Sequence, residues 1–186
     1  MSRELRNAIL AHVRPGDAVL DVGAGMAAYH GELLRRIGGA GRLVLLDAHQ
    51  PYLDRSPVAG AKNVARMQGT AQELLPRLQE RYDAVLAIDF IEHLTRPDAL
   101  AVIAQLRRLG KIVVLFVPEG NHPQDKDYFN LGADHWQTHR STWQAEDLVK
   151  LGFSVDRWPE FHAGAAGKDP GALWAVWDAE TDWTRR

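Results

Sequence analysis

Short apolar runs alternate along the chain with longer stretches in which apolar residues recur every third or fourth position. The runs predict buried strands, and the recurring spacing predicts amphipathic helices. The predicted strands cover, in chain order, residues 17–23, 42–48, 82–89, 111–118, 153–158 and 171–177. The predicted helices cover about 1–12, 27–38, 70–78, 96–110 and 141–152. A capping box of Ser141 and Gln144 is expected to open the last helix.

Strands that alternate with helices predict a mostly parallel sheet built from βαβ units. The last two predicted strands have no helix between them, so we expect an antiparallel hairpin at one edge. Ligands of such sheets bind beyond the carboxyl ends of the strands. Three carboxylates, Asp21, Asp47 and Asp89, fall at strand ends, and we therefore expect them to cluster.

The length of 186 residues predicts one domain, 1–186. The net charge of −2 is too small to attract the chain to nucleic acid or to an acidic membrane surface. The lack of cysteine excludes disulfides and thiolate chemistry. The N-terminal residues are too charged for a signal peptide, and no apolar run nears the ~20 residues that cross a bilayer, so we expect a cytoplasmic protein without a membrane partner. All six tryptophans follow residue 135. They predict core packing or, alternatively, an aromatic surface through which the C-terminal region forms a homodimer.

The stretch VLDVGAGMAAYH places a glycine-rich turn after the first predicted strand. Gly23, Gly25 and Ala28 match the dinucleotide-binding pattern, with Asp47 closing the next strand, so a nicotinamide-dependent oxidoreductase is one interpretation. Asp21 argues against it, because a carboxylate beside the turn repels a pyrophosphate and attracts a cation. The alternative role of Asp21 is to accept backbone hydrogen bonds that fix the turn. S-adenosylmethionine has a sulfonium, an ammonium and no phosphate, and it is the ligand that this pattern favours.

The stretch IDFIEHL puts three ionisable groups at the end of the strand 82–89. Asp89, Glu92 and His93 would share one face if the segment were helical. They are candidate ligands for a Mg²⁺- or Mn²⁺-like ion, and His93 is a candidate general base. Glu92 and His93 can equally cap or pack the first turn of the next helix.

Six ordered segments of the chain resemble the class I, Rossmann-like family of S-adenosylmethionine-dependent methyltransferases. They are VLDVGAG, LVLLDA, QGTAQEL, YDAVLAIDFIEHL, GKIVVLFVPEG and LGFSVDRW, and a terminal ALWAVW extends the likeness to about residue 177. The resemblance implies an α/β three-layer Rossmann-like sandwich whose seven-stranded sheet is mostly parallel and has an antiparallel last strand. It also implies S-adenosylmethionine as cofactor and S-adenosylhomocysteine as product.

The resemblance assigns cofactor contacts to four strand-end segments. The expected contacts are Asp21, Gly23, Ala24, Gly25, Met26, Asp47, Ala48, Gly69, Thr70, Ala71, Ile88 and Asp89. The glycine turn would face the methionine part, Asp47 would bind the ribose hydroxyls, and Ala48 and His49 would flank the adenine. Two positions depart from the family pattern, because Ala27 stands where glycine is usual and Thr70 stands where an acidic residue is common.

Some members of the family have an acidic-x-x-Glu-His segment and a later histidine that together hold a divalent ion. The corresponding candidate metal ligands here are Asp89, Glu92, His93 and His139. Many relatives with the same Glu-His pair need no metal, so a metal is an alternative and not the main expectation. His93 and His139 are also the candidate catalytic residues.

The predicted activity is methyl transfer to an oxygen or nitrogen of a small or medium polar acceptor. The long polar and aromatic stretch 119–143 is the expected substrate and lid region. Within it, His139, Ser141 and Trp143 form an H-x-S-x-W pattern that resembles a group of bacterial methyltransferases, and Ser141 is the expected cap of the following helix. The near-neutral charge argues against nucleic acid as acceptor. A cofactor-binding module that regulates a partner is the non-enzymatic alternative.

Overall fold

The computed structural model describes residues 2–159, 161 and 171–181. Within that part of the chain, seven strands form one sheet of order β3-β2-β1-β4-β5-β7-β6. The strands are β1 Ala18–Val22, β2 Arg42–Asp47, β3 Val64–Gln68, β4 Tyr82–Ile88, β5 Gly110–Pro118, β6 Ser154–Trp158 and β7 Ala172–Asp178. Neighbours from β3 to β5 pair in parallel, and β7 pairs antiparallel with both β5 and β6. This confirms the predicted sheet with an antiparallel last strand.

The strand order reverses between β1 and β4, because the chain runs outward from β1 to β3 and then returns to β4. Such a reversal opens a crevice beyond the carboxyl ends of the two central strands. Gly23 directly follows β1, Asp47 ends β2 and Asp89 directly follows β4. The fold therefore brings these three residues to one edge of the sheet.

Helices cover both faces of the sheet, which confirms the three-layer architecture. In the described residues they are α1 Arg3–Ala11, α2 His30–Ile37, α3 Gln50–Arg55, α4 Ala71–Leu74, α5 Arg96–Leu109, α6 Asp134–Gln137 and α7 Ala145–Lys150, with 3₁₀ turns at Leu75–Arg77 and Ile91–His93. Both faces of β4 are apolar and must be covered: Val85 and Ala87 belong to the core on one side of the sheet, and Ala84, Leu86 and Ile88 belong to the core on the other. No described helix has the length and apolar content that crossing a bilayer requires.

Three predicted helices differ from the structure in their bounds. α2 begins at His30 and not at residue 27. The predicted helix 70–78 is α4 followed by a 3₁₀ turn at Pro76, which has no N–H for an α-helical bond. The predicted capping box lies three residues too early, because α7 is capped by Gln144, which exchanges hydrogen bonds with Asp147.

The tryptophans mostly build the core. Trp143, Trp174 and Trp177 are buried, which contradicts the idea of an aromatic C-terminal surface for these three. Trp158 stacks on Trp174 with 5.8 Å between the ring centroids. Trp136 is 38% exposed, and Trp183 lies outside the described residues.

Candidate active site

A cleft of about 240 Å³ lies at the carboxyl ends of β1, β2 and β4. Eight of the predicted cofactor contacts line it, namely Gly23, Gly25, Asp47, Ala48, Gly69, Thr70, Ala71 and Asp89. The other four do not line it: Asp21, Ala24 and Ile88 are buried behind the wall, and Met26 is half-buried in the turn that follows. His49, expected beside the adenine, is not among the residues that line the cleft, and its Nε2 lies 2.9 Å from the carbonyl of Leu131.

The glycine turn needs both glycines for different physical reasons. Gly23 has a φ of +69°, and a Cβ built on it would lie 2.2 Å from the ring of Phe90. Gly25 has a φ of +54°, and a Cβ there would meet no described atom within 4 Å. Since Gly25 also lines the cleft, that open space is available to a ligand.

Asp47 joins the end of β2 to the glycine turn. One carboxylate oxygen accepts the N–H of Gly25 and the other accepts the N–H of His49, both at 2.8 Å. Burial raises the pKa of Asp47 from its ordinary value, and these two hydrogen bonds act in the opposite direction. A carboxylate offers about four acceptor positions, so each oxygen retains a lone pair for a ligand hydroxyl.

Asp21 supports the turn from behind and does not reach the cleft. Its Oδ2 accepts a hydrogen bond from the hydroxyl of Tyr29 at 2.6 Å and lies 3.0 Å from Nε2 of His30. His30 in turn places Nδ1 3.1 Å from the hydroxyl of Ser56. Burial and the neighbouring carboxylate raise the pKa of Tyr29 well above its usual value, so its hydroxyl remains a donor.

The segment after β3 borders the cleft from the other side. The N–H of Gly69 donates to the carbonyl of Asp47 at 3.0 Å, which fixes the segment against β2. The hydroxyl of Thr70 caps α4, because it accepts the N–H of Glu73 and donates to the Glu73 carboxylate. This hydroxyl is therefore committed to the helix.

Asp89 stands where β4 enters the cleft. Its backbone has a φ of +48°, an uncommon conformation outside glycine, and its N–H donates to the carbonyl of Phe116 at 2.8 Å. The side chain is open to the cleft, yet the surrounding protein desolvates it and raises the pKa of the carboxyl to about 7. A strained residue at a strand end is typical of a functional site.

Glu92, His93 and His139 lie together at the far end of the cleft. One ligand-type atom from each residue falls within 4.8 Å of the other two. Burial, followed by the charge of Asp89, raises the pKa of Glu92, and burial lowers the pKa of His93 to about 4. Thr95, and not Glu92 or His93, caps α5, which contradicts the capping interpretation of that pair.

A second and wider groove of about 610 Å³ adjoins this cluster, and Arg140 lines both the groove and the cleft. Its lining includes Arg96, Asn121, His122, His139 and Thr142. His93 faces the cleft and His139 faces the groove, so the cluster forms part of the wall between them.

The segment 119–143 is fixed over the cleft at both ends. Near its start, backbone bridges join Glu119 and Gly120 to Trp143. Near its end, the N–H groups of Arg140 and Ser141 both donate to the carbonyl of Glu92.

Side-chain hydrogen bonds fix the positions of Arg140 and Ser141. The Arg140 guanidinium donates to the carbonyls of His93, Thr138 and His135, so it acts as a backbone clamp. Ser141 does not cap α7; its hydroxyl donates to the carbonyl of Ile91 and accepts from the indole of Trp143.

Asp127 organises the middle of the same segment. Its carboxylate accepts hydrogen bonds from the N–H groups of Phe129, Leu131 and Ala133. It also accepts one from the hydroxyl of Tyr52, a residue of α3 that lines the cleft. These bonds lower the pKa of Asp127 against the opposing effect of burial. The segment is thereby attached to the β2 end of the cleft.

Several cleft residues that come from helix starts and loops were not predicted from the sequence, namely Tyr52, Gln72, Phe90, Thr95 and Asp98. His135, Trp136 and Arg140 also line the cleft, and they belong to the segment 119–143 that was expected to border the substrate. A usable signal existed for Thr95 and Asp98, since a Thr-x-x-Asp capping pair marks a helix start at the carboxyl edge of a strand. The aromatic residues carry no such local signal.

The charges of the cleft select the kind of ligand that fits. Of the described residues that line it, three carry carboxylates, Asp47, Asp89 and Asp98, and one, Arg140, carries a guanidinium that is committed to carbonyls. This lining disfavours a pyrophosphate and suits a cationic ligand. With the open space at Gly25 and the free lone pairs of Asp47, the cleft fits S-adenosylmethionine.

Comparisons with known proteins agree with this fit. A family model described as "Methyltransferase domain" matches residues 19–111, which is 93 of the 186 residues. No curated protein matches the chain. Many solved structures do match, but at the identities given below their likeness concerns the fold.

Three of these structures illustrate the range. The Burkholderia thailandensis 1,6-didemethyltoxoflavin-N1-methyltransferase, with 1,6-didemethyltoxoflavin and S-adenosylhomocysteine bound, is 21% identical over 94% of this chain and 76% of its own, with a TM-score of 0.63. The N-terminal domain of EvdMO1, in the presence of S-adenosylhomocysteine and D-fucose, is 18% identical over 95% and 82%, with a TM-score of 0.66. The small RNA methyltransferase HEN1 is 18% identical over 95% of this chain and 25% of its own, with a TM-score of 0.65. Because the family model covers half of the sequence, the chain belongs to the class I S-adenosylmethionine-dependent methyltransferases and is an enzyme that uses S-adenosylmethionine.

Proposed function

We propose that this methyltransferase acts on an oxygen or nitrogen of a small or medium polar acceptor. In this proposal the glycine turn holds the methionine part of the donor, Asp47 binds the ribose hydroxyls, and residues 69–71 border the adenine. The acidic lining of the cleft is the observation that carries the donor's placement, because it attracts the sulfonium and the ammonium.

The acceptor side is polar, which supports a polar acceptor. The end of the cleft carries His93 and His135, and the groove beyond the cluster carries Asn121, His122 and Thr142. Two similar structures were solved with small polar molecules, 1,6-didemethyltoxoflavin and D-fucose. HEN1 acts on small RNA, but the net charge of −2 supplies little attraction for a polyanion.

The transfer is an in-line displacement, in which the acceptor atom bonds to the methyl carbon while the carbon–sulfur bond breaks and its electron pair remains on sulfur. Positioning accounts for much of the acceleration in such a step. An acceptor hydroxyl must also lose its proton. With a pKa of about 4, His93 is neutral at pH 7 and a weak base, so proton removal requires more than this imidazole.

A radiolabelled methyl donor tests the acceptor class. The purified chain is incubated with methyl-labelled S-adenosylmethionine and a cell extract, which is then separated into small-molecule, RNA and protein fractions. We expect label in the small-molecule fraction, and much less of it at the same donor concentration when Asp47→Asn replaces the wild type. Label confined to RNA or protein would overturn the proposal.

Binding measured beside the transfer assay separates two kinds of failure. If the chain binds S-adenosylhomocysteine in calorimetry and labels no fraction, the regulatory-module interpretation is favoured over catalysis. If it binds neither S-adenosylhomocysteine nor S-adenosylmethionine, the placement of the donor in this cleft is wrong.

A further inference from the structure

Trp136 differs from the other tryptophans that the structure describes in what lies on its ring. Each of the other four is covered by a stacked ring or by a guanidinium. The pairs are Arg96 over Trp143, Arg107 over Trp177, and Trp158 stacked on Trp174. Within the described residues, the ring contact of Trp136 is with His135, whose imidazole stands at 82° to the indole. The described chain therefore places no stacked ring on the indole of Trp136.

Trp136 is also an exposed aromatic residue in a concave site. The large apolar side chains that the described residues expose are Leu100, Tyr128, Phe129, Trp136 and Val149. Of these five, Trp136 alone is part of the cleft lining. A single exposed apolar side chain on an outer surface needs no explanation. An exposed indole inside a cleft, in contrast, is a typical anchor for a ligand.

The short helix α6, which carries Trp136, is held in place by side-chain hydrogen bonds. The Arg140 guanidinium donates to the carbonyls of His135 and Thr138, one on each side of Trp136. The hydroxyl of Thr138 also donates to the carbonyl of Asp134, the first residue of the helix, at 2.8 Å. A helix of four residues is not stable alone, so these bonds set its position. The indole is thus presented on a fixed support, which lowers the entropic cost of binding a ligand.

The same guanidinium places Trp136 at the acceptor end of the cleft, and this step rests on the proposed function. Arg140 donates to the carbonyl of His93 as well as to that of His135. His93 lies at the end of the cleft that the proposed function assigns to the acceptor. The donor is assigned to segments that follow β1, β2 and β3, whereas Trp136 comes from the segment that follows β5. A ring that binds against Trp136 therefore belongs to the acceptor.

We propose that Trp136 stacks on a flat aromatic or heteroaromatic ring of the methyl acceptor and so selects this class of substrate. Two aromatic rings attract each other through burial and through offset or edge-to-face contact of their π-systems. A saturated ring of the same size lacks the second of these attractions. An indole face also attracts cations. A cationic acceptor, however, would lie beside the positive sulfonium of the donor, and the two like charges repel each other.

Phenol and cyclohexanol test the proposal, since both carry a hydroxyl on a six-membered ring and phenol alone is flat. Binding of each probe to the full chain, saturated with S-adenosylhomocysteine, is measured by saturation-transfer NMR. We expect binding of phenol and little binding of cyclohexanol. Trp136→Ala should weaken phenol binding by about three- to tenfold, and Trp136→Phe should largely retain it. Tyr128→Ala removes a more exposed aromatic ring of the same segment, outside the cleft, and should leave phenol binding unchanged.

The opposite results are equally distinct. Equal binding of the two probes, or equal phenol binding by the wild type and Trp136→Ala, would overturn the proposal. Phenol binding that S-adenosylhomocysteine abolishes would overturn it too, because Trp136 would then face the donor.

The labelled product of the transfer assay provides a second measurement. Its ultraviolet absorption should be that of an aromatic ring. A labelled small molecule without such a ring would overturn this inference and leave the proposed function intact. Trp136 is 38% exposed, so Trp136→Ala is expected to fold, and calorimetry with S-adenosylhomocysteine checks that its donor site is intact.

Discussion

At the residue scale, two glycines in one turn serve different ends. Gly23 leaves room for the side chain of Phe90, because a Cβ at position 23 would overlap the ring. Gly25 has no neighbour that a Cβ would strike, and its N–H is held by Asp47. The first glycine is therefore required for packing, and the second keeps space for the donor.

Gly25→Ala should separate stability from binding. The left-handed backbone makes the alanine cost about 1–2 kcal/mol of unfolding free energy, and its methyl group enters the cleft, so we expect S-adenosylhomocysteine binding to be lost. Gly16→Ala is the matched control, since Gly16 also has a positive φ and an open surrounding but lies away from the cleft. Both variants should show similar losses in denaturant unfolding. Loss of binding in Gly16→Ala as well would contradict this account.

Asp47→Asn should weaken S-adenosylhomocysteine binding by about ten- to a hundredfold in calorimetry. The amide keeps one oxygen, so one of the two backbone N–H groups, from Gly25 or His49, loses its acceptor, and one ribose hydroxyl loses its charged partner. Asp54→Asn removes a carboxylate on the outer side of α3, where it pairs with Arg66, and should bind normally. Equal affinities for the two variants would remove Asp47 from the site.

Three of the residues that were correctly predicted to line the cleft share one property. Gly23 and Asp89 directly follow apolar strands and Asp47 ends one, so topology alone brings them together. Phe90 and Tyr52 were missed because their positions depend on packing with residues distant in the chain, and no local pattern records such a contact.

At the element scale, the segment 119–143 is held to the fold by a small number of polar contacts. Tyr52 on α3 donates to Asp127, and the Asp127 carboxylate gathers three N–H groups from its own loop. The conformation of residues 127–133 therefore depends on their attachment to α3, the helix that follows Asp47.

Tyr52→Phe should loosen that link without unfolding the chain. Loss of the hydrogen bond to a charged group should cost about 1–2 kcal/mol, and amide exchange of residues 127–134 should accelerate in hydrogen-exchange mass spectrometry. S-adenosylhomocysteine affinity should fall several-fold, since Tyr52 also lines the cleft. Tyr82→Phe, at the start of β4 and away from the cleft, is the control and should leave that exchange unchanged. Unchanged protection in Tyr52→Phe would show that other contacts hold the loop.

Elements with a strong apolar pattern were predicted, and those without one were not. β5 is an unbroken apolar run and was found, whereas β3 is an edge strand whose residues are half-buried or exposed, and it shows no run. α3 has six residues and too few turns for a period to show. Ser141 was misplaced because a capping box is a four-residue signal, and the bridges from Glu119 and Gly120 to Trp143 keep the chain extended there.

At the scale of the whole molecule, charge is distributed unevenly. The chain carries a net charge of only −2, yet the cleft concentrates Asp47, Asp89 and Asp98. The protein around Asp89 desolvates its carboxyl, which disfavours the charged form and raises its pKa to about 7. A bound sulfonium reverses this effect, since it favours the ionised carboxylate.

This coupling predicts that affinity for S-adenosylmethionine increases with pH. Below pH 7 the Asp89 carboxyl is mostly protonated and must release its proton when the cation binds, whereas above pH 7 it is already ionised. We therefore expect the affinity of the EDTA-treated chain to rise by about three- to tenfold from pH 6 to pH 8 and then to level off. S-adenosylhomocysteine, whose sulfur is neutral, should respond less, and Asp89→Asn should bind both ligands with little pH dependence. Parallel calorimetric titrations at three pH values measure the effect. An equal pH response for the two ligands, or one that persists in Asp89→Asn, would show that a group other than Asp89 senses the sulfonium.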